Sequence, residues 1–186
     1  MAIGTRDALI DAAENLMRTK GYAAFSYADL ADTLGLRKAS IHYHFPTKEE
    51  LGIAIVEGYI TRVREEFERI EVERRDVSGR LEAFFIMFRA SSMGGLLPLC
   101  GALAAEMAAL PLGLQKLTQR FFDMQLKWLS ETIEKGIQDK EIPRGCGARQ
   151  KAFLFLSVLE GASFINWATQ EGDSFDFNIF RLIIES

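Results

Sequence analysis

The sequence predicts an all-α fold of about nine helices, with a three-helix N-terminal helix-turn-helix domain followed by a larger helical domain. Three observations support this. Apolar residues recur at helical spacing along most of the chain. Two helix starts carry capping pairs, Ser26 with Asp29 and Thr47 with Glu50. Finally, Gly35 lies where one short helix must end and reverse into another.

The composition is that of a folded protein with a sizeable core. The chain has 186 residues, of which 48% are hydrophobic and four are proline. We expect no segment long enough and apolar enough to span a membrane, and the charged N-terminus is unlike a secretory signal. Cys100 and Cys146 match no metal-ligand spacing. The sequence therefore predicts a cytoplasmic, reduced protein with no membrane partner, no metal and no cofactor.

The charge distribution favours a small DNA contact over general polyanion binding. The net charge of the chain is −4, yet the part up to Lys48 carries six basic and five acidic residues. Its last three bases, Arg37, Lys38 and Lys48, follow Asp32 with no acid between them. We call the part up to Lys48 the tip and the rest of the chain the body. A weakly basic tip joined to an acidic body is typical of a protein that binds DNA specifically and contacts few phosphates.

The N-terminal helices follow from their start and stop residues. Thr5 is expected to cap a first helix that runs to about Lys20, where Gly21 stops it. The second helix is predicted over about 26–34 and the third over about 38–44. They share a small core, for which the predicted residues are Leu9, Ala13, Leu16, Leu30, Ala31, Leu34, Ile41 and Phe45.

The fourth helix is predicted over about 48–75 and joins the tip to the body. Its first half is apolar on one side, through Leu51, Ile55, Tyr59 and Ile60. Its second half is dense in opposite charges at i,i+3 and i,i+4, which predicts a solvated connecting helix. A change in its tilt would carry a signal between the two parts.

The rest of the chain predicts a helical body. Helices are expected over about 80–93, 112–140, 148–169 and 174–184, with a small-residue-rich segment at 96–111. The last two helices have more apolar surface than one small domain needs. We found no Gly-rich phosphate loop, nucleophile elbow or zinc-protease motif, so an enzyme is not predicted.

The first fifty or so residues resemble the DNA-binding domain of TetR/AcrR-type transcriptional regulators. Three runs carry the resemblance: YADLA at 27–31, GLRKASIHYHF at 35–45 and PTKEEL at 46–51. A weaker resemblance, to a C-terminal type among such regulators, rests on LCGALAAEMAALP and FFDMQLKWL. The resemblance implies a DNA-binding domain at 1–47 and a ligand-binding and dimerisation domain at 48–186.

The function that this resemblance implies is a ligand-responsive homodimeric repressor. It would bind a palindromic operator in double-stranded DNA and be released by a small hydrophobic or aromatic effector. One alternative is a ligand-independent DNA-associated factor acting in chromosome structure or division. Another is a thiol-based sensor of oxidants or electrophiles acting through Cys100.

The resemblance also implies roles for individual residues of the tip. For Tyr43, packing against the fourth helix is an equally good alternative to a DNA contact. For His42 and His44, the alternative is that they are exposed polar residues without a partner. The residues implied to contact base edges are Lys38, Ala39, Ser40 and His42. Those implied to contact phosphates are Tyr43, His44 and Lys48, with Ser26 and Arg37 as further backbone contacts.

In the body, the same residues fit either an apolar effector pocket or a plain core. Glu106 is expected to face water or to anchor a ligand donor. The predicted effector contacts are Phe84, Met87, Phe88, Cys100, Leu103, Met107, Phe122, Met124, Trp128 and Phe164. The dimer contacts implied by the resemblance are Phe153, Leu156, Gly161, Ala162, Ile165, Phe177, Phe180 and Ile184.

Overall fold

The structure is a computed structural model that describes residues 4–170 and 176–184. Within them it contains nine α-helices, one 3₁₀ turn and no strand, which confirms the all-α prediction. The predicted start of the last helix near 174 lies outside the described residues. The elements are α1 (Thr5–Lys20), α2 (Tyr27–Leu34), α3 (Lys38–His44), α4 (Lys48–Glu73), α5 (Val77–Ser91), α6 (Leu99–Ala105), the 3₁₀ turn (Met107–Ala109), α7 (Leu112–Gln138), α8 (Ala148–Thr169) and α9 (Asn178–Ile184).

The predicted caps of the helix-turn-helix are present. The Ser26 hydroxyl accepts hydrogen bonds from the backbone N–H groups of Ala28 and Asp29, and the Asp29 carboxylate accepts one from Ser26 N–H at 2.7 Å. Gly35 ends α2 in the left-handed conformation, with φ 64° and ψ 30°. Thr47 Oγ1 accepts a hydrogen bond from Glu50 N–H at 3.1 Å at the start of α4. These caps fix where each helix begins and ends.

The start of α1 differs from the prediction. Thr5 is already helical, and Gly4 holds the capping position without a side-chain bond. The core stripe also differs, because Met17 is buried where Leu16 is half-buried. Met17 follows Ala13 by four residues and so lies on the buried face of the helix.

The first half of α4 is buried as predicted, with Leu51 and Ile55 fully inaccessible. The prediction of a solvated second half holds for its charged side chains, nearly all of which are exposed, but not for its apolar ones. Phe67 and Ile70 retain only 4% and 2% of their exposure, because they form an apolar stripe among the charges. Arg69 pairs with glutamates beside this stripe, at 2.8 Å from Glu73.

Aromatic rings from several helices form the core around α5. Phe84 is fully buried and stacks on Trp128 with ring centroids 5.7 Å apart. Phe67 stacks on the same indole at 4.6 Å, and Phe155 meets Phe84 edge-on at 6.0 Å. The Trp128 N–H donates to the Glu71 carboxylate at 2.7 Å, so the buried indole keeps a hydrogen-bond partner.

A buried lysine fastens α9 to α8. Lys151 is completely inaccessible, and its ammonium donates to the carbonyls of Ile183 and Ile184 at 3.2 and 2.8 Å. A cation at the C-terminal carbonyls of a helix is favourable, because those groups otherwise lack partners. Phe180 of α9 packs on Phe155 of α8, with centroids 4.3 Å apart. These contacts hold the two helices together.

Helix α8 corrects one expectation drawn from composition. Its 22 residues include an 18-residue window of mean hydropathy 1.3, long and apolar enough to cross a membrane by those measures alone. Only 22% of that window is buried within the chain. Length and composition are weak evidence for a membrane span, since helices of soluble proteins pass the same test.

The chain groups into two compact units. The first unit contains the chain up to Arg62 together with Leu99–Phe121. The second unit contains Val63–Pro98 together with the chain from Phe122 onward. Both α4 and α7 are divided between the units. The division into functional domains at 1–47 and 48–186 remains a prediction.

Candidate DNA-binding site

Helix α3 presents a polar face held by one buried anchor. Ile41 is fully inaccessible and fixes the helix against the core of the first unit. The side chains of Lys38, Ala39 and His42 are exposed, whereas Ser40 is half-buried. Three of the four residues predicted to contact base edges are therefore accessible on one short helix. Lysine can donate to guanine, alanine can contact a thymine methyl group and histidine can hydrogen-bond a base.

The ring of His42 is held in a defined orientation. Its Nδ1 lies 3.2 Å from the carbonyl oxygen of Pro46, and the ring meets Tyr27 with centroids 4.9 Å apart. Tyr27 donates its hydroxyl to the carbonyl of Phe45 at 2.9 Å, and burial raises the pKa of Tyr27 to about 12. Because a carbonyl oxygen only accepts, Nδ1 must carry the proton in this bond. In the Nδ1-protonated tautomer, Nε2 is the acceptor of the ring.

The residues predicted to contact phosphates around α3 differ in whether their side chains are exposed or already hydrogen-bonded within the protein. Arg37 is exposed and precedes α3 without making a capping hydrogen bond through its side chain. Tyr43 is 83% exposed and touches His44 edge-on, so it does not pack against α4. The Ser26 hydroxyl instead donates to the Asp29 carboxylate at 2.7 Å. Arg37 and Tyr43 are thus available to a phosphate, whereas Ser26 is engaged in its cap.

Asp29 gathers several donors at the start of α2. Lys20 donates to one carboxylate oxygen at 2.8 Å, and the hydroxyl and N–H of Ser26 donate to the other, each at 2.7 Å. These hydrogen bonds, that from Lys20 first, hold the pKa of Asp29 well below its usual value. The carboxylate stays ionised and keeps the cap intact through the physiological pH range.

Lys48 lies at the start of α4 and turns toward the connection between α1 and α2. Its ammonium donates to the carbonyl of Ala23 at 3.4 Å. It also lies 4.6 and 4.4 Å from the ring centroids of Tyr22 and Phe25. Burial lowers the pKa of Lys48, opposed by the negative charges of Glu106 and Asp29. Lys48 therefore has protein contacts that its sequence position did not reveal.

Glu106 corrects a further expectation. Its carboxylate accepts a hydrogen bond from Ala23 N–H at 2.9 Å. Glu106 therefore binds the protein backbone, whereas the sequence predicted that it faces water or binds a ligand. Glu106 and Ala23 are 83 positions apart in the chain. No local pattern predicts such a contact. The isolated acid within an apolar segment was the available signal.

Five of the ten predicted effector residues are buried. Phe84, Phe88 and Trp128 of the second unit retain 0%, 4% and 8% of their exposure. Cys100 and Leu103, in the first unit, are also buried. The remaining predicted contacts are half-buried: Met87, Met107, Phe122, Met124 and Phe164. The Cys100 side chain is fully buried, so it is not placed to meet a reagent in this conformation.

The second unit has an open groove that is separate from the predicted effector residues. It has a volume of about 1100 Å³ and lies between the C-terminal half of α7 and the start of α8. Its lining is rich in charge, including Glu131, Glu134, Lys135 and Arg149. None of the predicted effector residues lines it.

Glu160 of α8 is a buried acid that sequence reasoning missed. Both carboxylate oxygens are inaccessible and lack a hydrogen-bond partner among the described residues. Burial raises the pKa of Glu160 to about 7. Its position in the apolar run LFLSVLEGASF was the signal that could have singled it out.

The predicted dimer contacts fall into two groups. Leu156, Phe180 and Ile184 are already buried within one chain. Phe153 and Ile165 are 60% and 64% exposed. Gly161 is exposed, and Ala162 and Phe177 are half-buried. Large exposed apolar side chains on α8 and α9 are Phe153, Leu154, Ile165, Trp167, Ile179 and Leu182, which we call the α8–α9 apolar face.

Comparison with known proteins identifies the family. The model of the tetR family of bacterial regulatory proteins matches residues 9–55. The HTH-type transcriptional regulator CymR of Pseudomonas putida is 30% identical over 141 residues, which cover 73% of this chain and 69% of CymR. The chain belongs to the TetR family. It is a DNA-binding transcriptional regulator, as its family match and its relatives indicate.

Two further similarities extend over nearly the whole TetR-family chain. The nucleoid occlusion factor SlmA of Marinobacter nauticus is 27% identical over 180 residues, covering 90% of each chain. A TetR-family transcriptional regulator from Agrobacterium tumefaciens has a crystal structure that matches with a TM-score of 0.84 and 27% identity. That match covers 96% of this chain and 93% of the other. The fold is therefore that of the family from end to end.

Proposed function

We propose that the protein is a cytoplasmic homodimeric repressor that binds a palindromic operator and is released by a small hydrophobic or aromatic effector. The observation that carries the proposal is the pairing of an exposed recognition helix with a separate, uncovered apolar face. Helix α3 offers Lys38, Ala39 and His42 to a major groove. The α8–α9 apolar face offers a surface for a second copy.

Dimerisation supports the DNA-binding role through geometry. One α3 covers a single half-site, and the few basic residues near it provide modest affinity. Two copies related by a two-fold axis would place their α3 helices in successive major grooves, about one helical turn apart. The matching operator is a palindrome. Membership of the family makes this arrangement the expected one.

Within each half-site we assign specific roles to the exposed side chains. Lys38 is proposed to donate to guanine and Ala39 to contact a thymine methyl group. The orientation of His42 leaves Nε2 as an acceptor, so it would accept from the amino group of adenine or cytosine. Arg37 and Tyr43, both exposed, are proposed to contact phosphates.

An effector would act by preferring a conformation that does not fit DNA. In the second unit, the predicted contacts around Phe84 and Trp128 are stacked on one another, so a ligand there has to replace ring–ring contacts with its own. Flat apolar or aromatic molecules are best suited to that exchange. The stacked rings favour an aromatic effector over a polar one.

A second function is favoured by the similarity to the nucleoid occlusion factor SlmA, which covers 90% of each chain. In that case the protein would bind many chromosomal sites without an effector. Selection of bound sequences from a random DNA pool, repeated with a panel of aromatic compounds, separates the two functions. We expect one palindrome whose binding is lost with a compound. Many enriched sites that ignore every compound would favour the second function, and no enrichment would contradict both.

Lys48 provides a test of the phosphate contacts. The Lys48→Ala variant is expected to bind the operator more weakly and to lower the slope of log K against log salt by about one, because one fewer counterion is released. Fluorescence anisotropy between 50 and 200 mM salt, the range over which such slopes are read, measures this. The control is Lys127→Ala, whose side chain is 75% exposed on α7. An unchanged slope would remove Lys48 from the phosphate contacts.

A further inference from the structure

Two charged side chains hold one residue of the connection between α1 and α2. The Glu106 carboxylate accepts from Ala23 N–H at 2.9 Å, and the Lys48 ammonium donates to Ala23 C=O at 3.4 Å. Glu106 follows α6, and Lys48 begins α4. All three residues belong to the first unit. The peptide groups on either side of Ala23 are thus bonded to side chains distant in sequence.

The backbone around Ala23 is shaped to admit the carboxylate. Gly21 has φ 86° and ψ 158°, a conformation that is essentially restricted to glycine. A Cβ atom on Gly21 would lie 2.1 Å from Glu106 Oε1. The missing side chain therefore leaves the space that the carboxylate occupies. Helix α6, which precedes Glu106, packs against α1 and is anchored by the buried Leu99 and Leu103.

The same arrangement places an anion near a cation that is proposed to bind DNA. Glu106 and Lys48 bind the same residue, one at Ala23 N–H and the other at Ala23 C=O, and the negative charge of Glu106 opposes the lowering of the Lys48 pKa by burial. A DNA phosphate would compete with Glu106 for that attraction. The carboxylate on Ala23 N–H is a charge-assisted hydrogen bond, stronger than a neutral one.

We propose that Glu106 is a positioning residue for DNA binding. Its hydrogen bond fixes the α1–α2 connection at Ala23, and its charge draws the Lys48 ammonium toward that connection and away from phosphate. Glu106 lies outside the helix-turn-helix and outside the residues predicted to contact DNA. The charge part of this inference rests on the proposed phosphate contact of Lys48, whereas the hydrogen-bond part does not.

The hydrogen bond is tested without DNA, by hydrogen exchange of the Ala23 amide in the full-length protein. Loss of this bond in Glu106→Ala is expected to speed exchange by about tenfold or more. Glu106→Gln keeps an acceptor oxygen. Its Ala23 amide is therefore expected to exchange at a rate closer to that of the unmodified protein than to that of Glu106→Ala. Equal exchange in Glu106→Ala and the unmodified protein would overturn the positioning role, even if Lys48 binds phosphate as proposed.

The charge is tested by operator affinity in a double-mutant cycle. Glu106→Gln is expected to raise affinity about threefold when Lys48 is present, the size typical of an exposed charge pair. It should have no effect in the Lys48→Ala background. Glu82→Gln, at an exposed position of α5, controls for the change in net charge. An equal gain in both backgrounds, or no gain with Lys48 present, would contradict the coupling. Loss of the salt-slope effect of Lys48→Ala would instead contradict the phosphate contact.

Discussion

Replacing Ile165 by Asp is expected to give a monomer whose operator affinity falls by about a hundredfold or more, because a second half-site no longer binds in the same complex. Ile165 is 64% exposed on α8, within the α8–α9 apolar face. A charge placed there would be buried without a partner in a dimer, which is strongly unfavourable. The change should leave the fold of one chain intact, because the side chain faces away from its core.

The measurement combines sedimentation with DNA titration. The Ile165→Asp variant should sediment as one chain and the unmodified protein as two, with unchanged helical circular dichroism. Val72→Asp is the matched control, since Val72 is an apolar residue on α4 that is 85% exposed and lies off the proposed face. It should remain a dimer with full affinity. A dimeric Ile165→Asp variant would place the interface elsewhere.

Replacing Glu160 by Gln is expected to stabilise the protein at pH 8 by about 3 kcal/mol, the value of a pKa shift of this size. Both carboxylate oxygens are buried without a partner among the described residues, and burial raises the pKa of Glu160 from 4.5 to about 7. Between these pH values the folded chain keeps a proton that the unfolded chain has lost. Stability contributed by Glu160 therefore falls as pH rises from about 4.5 to about 7.

Urea unfolding at pH 4.5 and pH 8, at one protein concentration, measures this effect. The free energy of unfolding of the Glu160→Gln variant should equal that of the unmodified protein at the lower pH and exceed it at the higher pH. Glu82→Gln, exposed on α5, should show no such dependence. A variant that is less stable than the unmodified protein at pH 8 would mean that the carboxylate is ionised and paired in the assembled protein.

Local signals allowed most helix boundaries to be predicted. Helix α3 begins at Lys38 and α8 spans Ala148–Thr169 as predicted, because a glycine-containing turn precedes each of them. The capping box at Ser26 was also predictable, because it depends on two residues three positions apart, Ser26 and Asp29. At Thr5 the local signal was misleading, since a threonine that can cap can also be the first helical residue. Boundary residues of this kind are decided by the backbone that precedes them.

Contacts between distant segments were not predictable from one sequence. The buried stripe through Phe67 and Ile70 was hidden by the charged residues that surround it in the sequence. The bond between Glu106 and Ala23 joins residues 83 positions apart. The Lys48 side chain is directed by its own hydrogen bond to Ala23 C=O and by the rings of Tyr22 and Phe25. Each of these features depends on tertiary packing, which local patterns do not encode.

The central claim is that two copies of this chain read one palindromic site through α3. Hydroxyl-radical and methylation footprinting on the selected operator, with the full-length protein, tests it most directly. Two protected major-groove segments are expected on one face of the DNA, about one helical turn apart. Both should weaken together in Ile165→Asp. A single protected segment, or two segments that remain equally protected in a monomeric variant, would contradict the account.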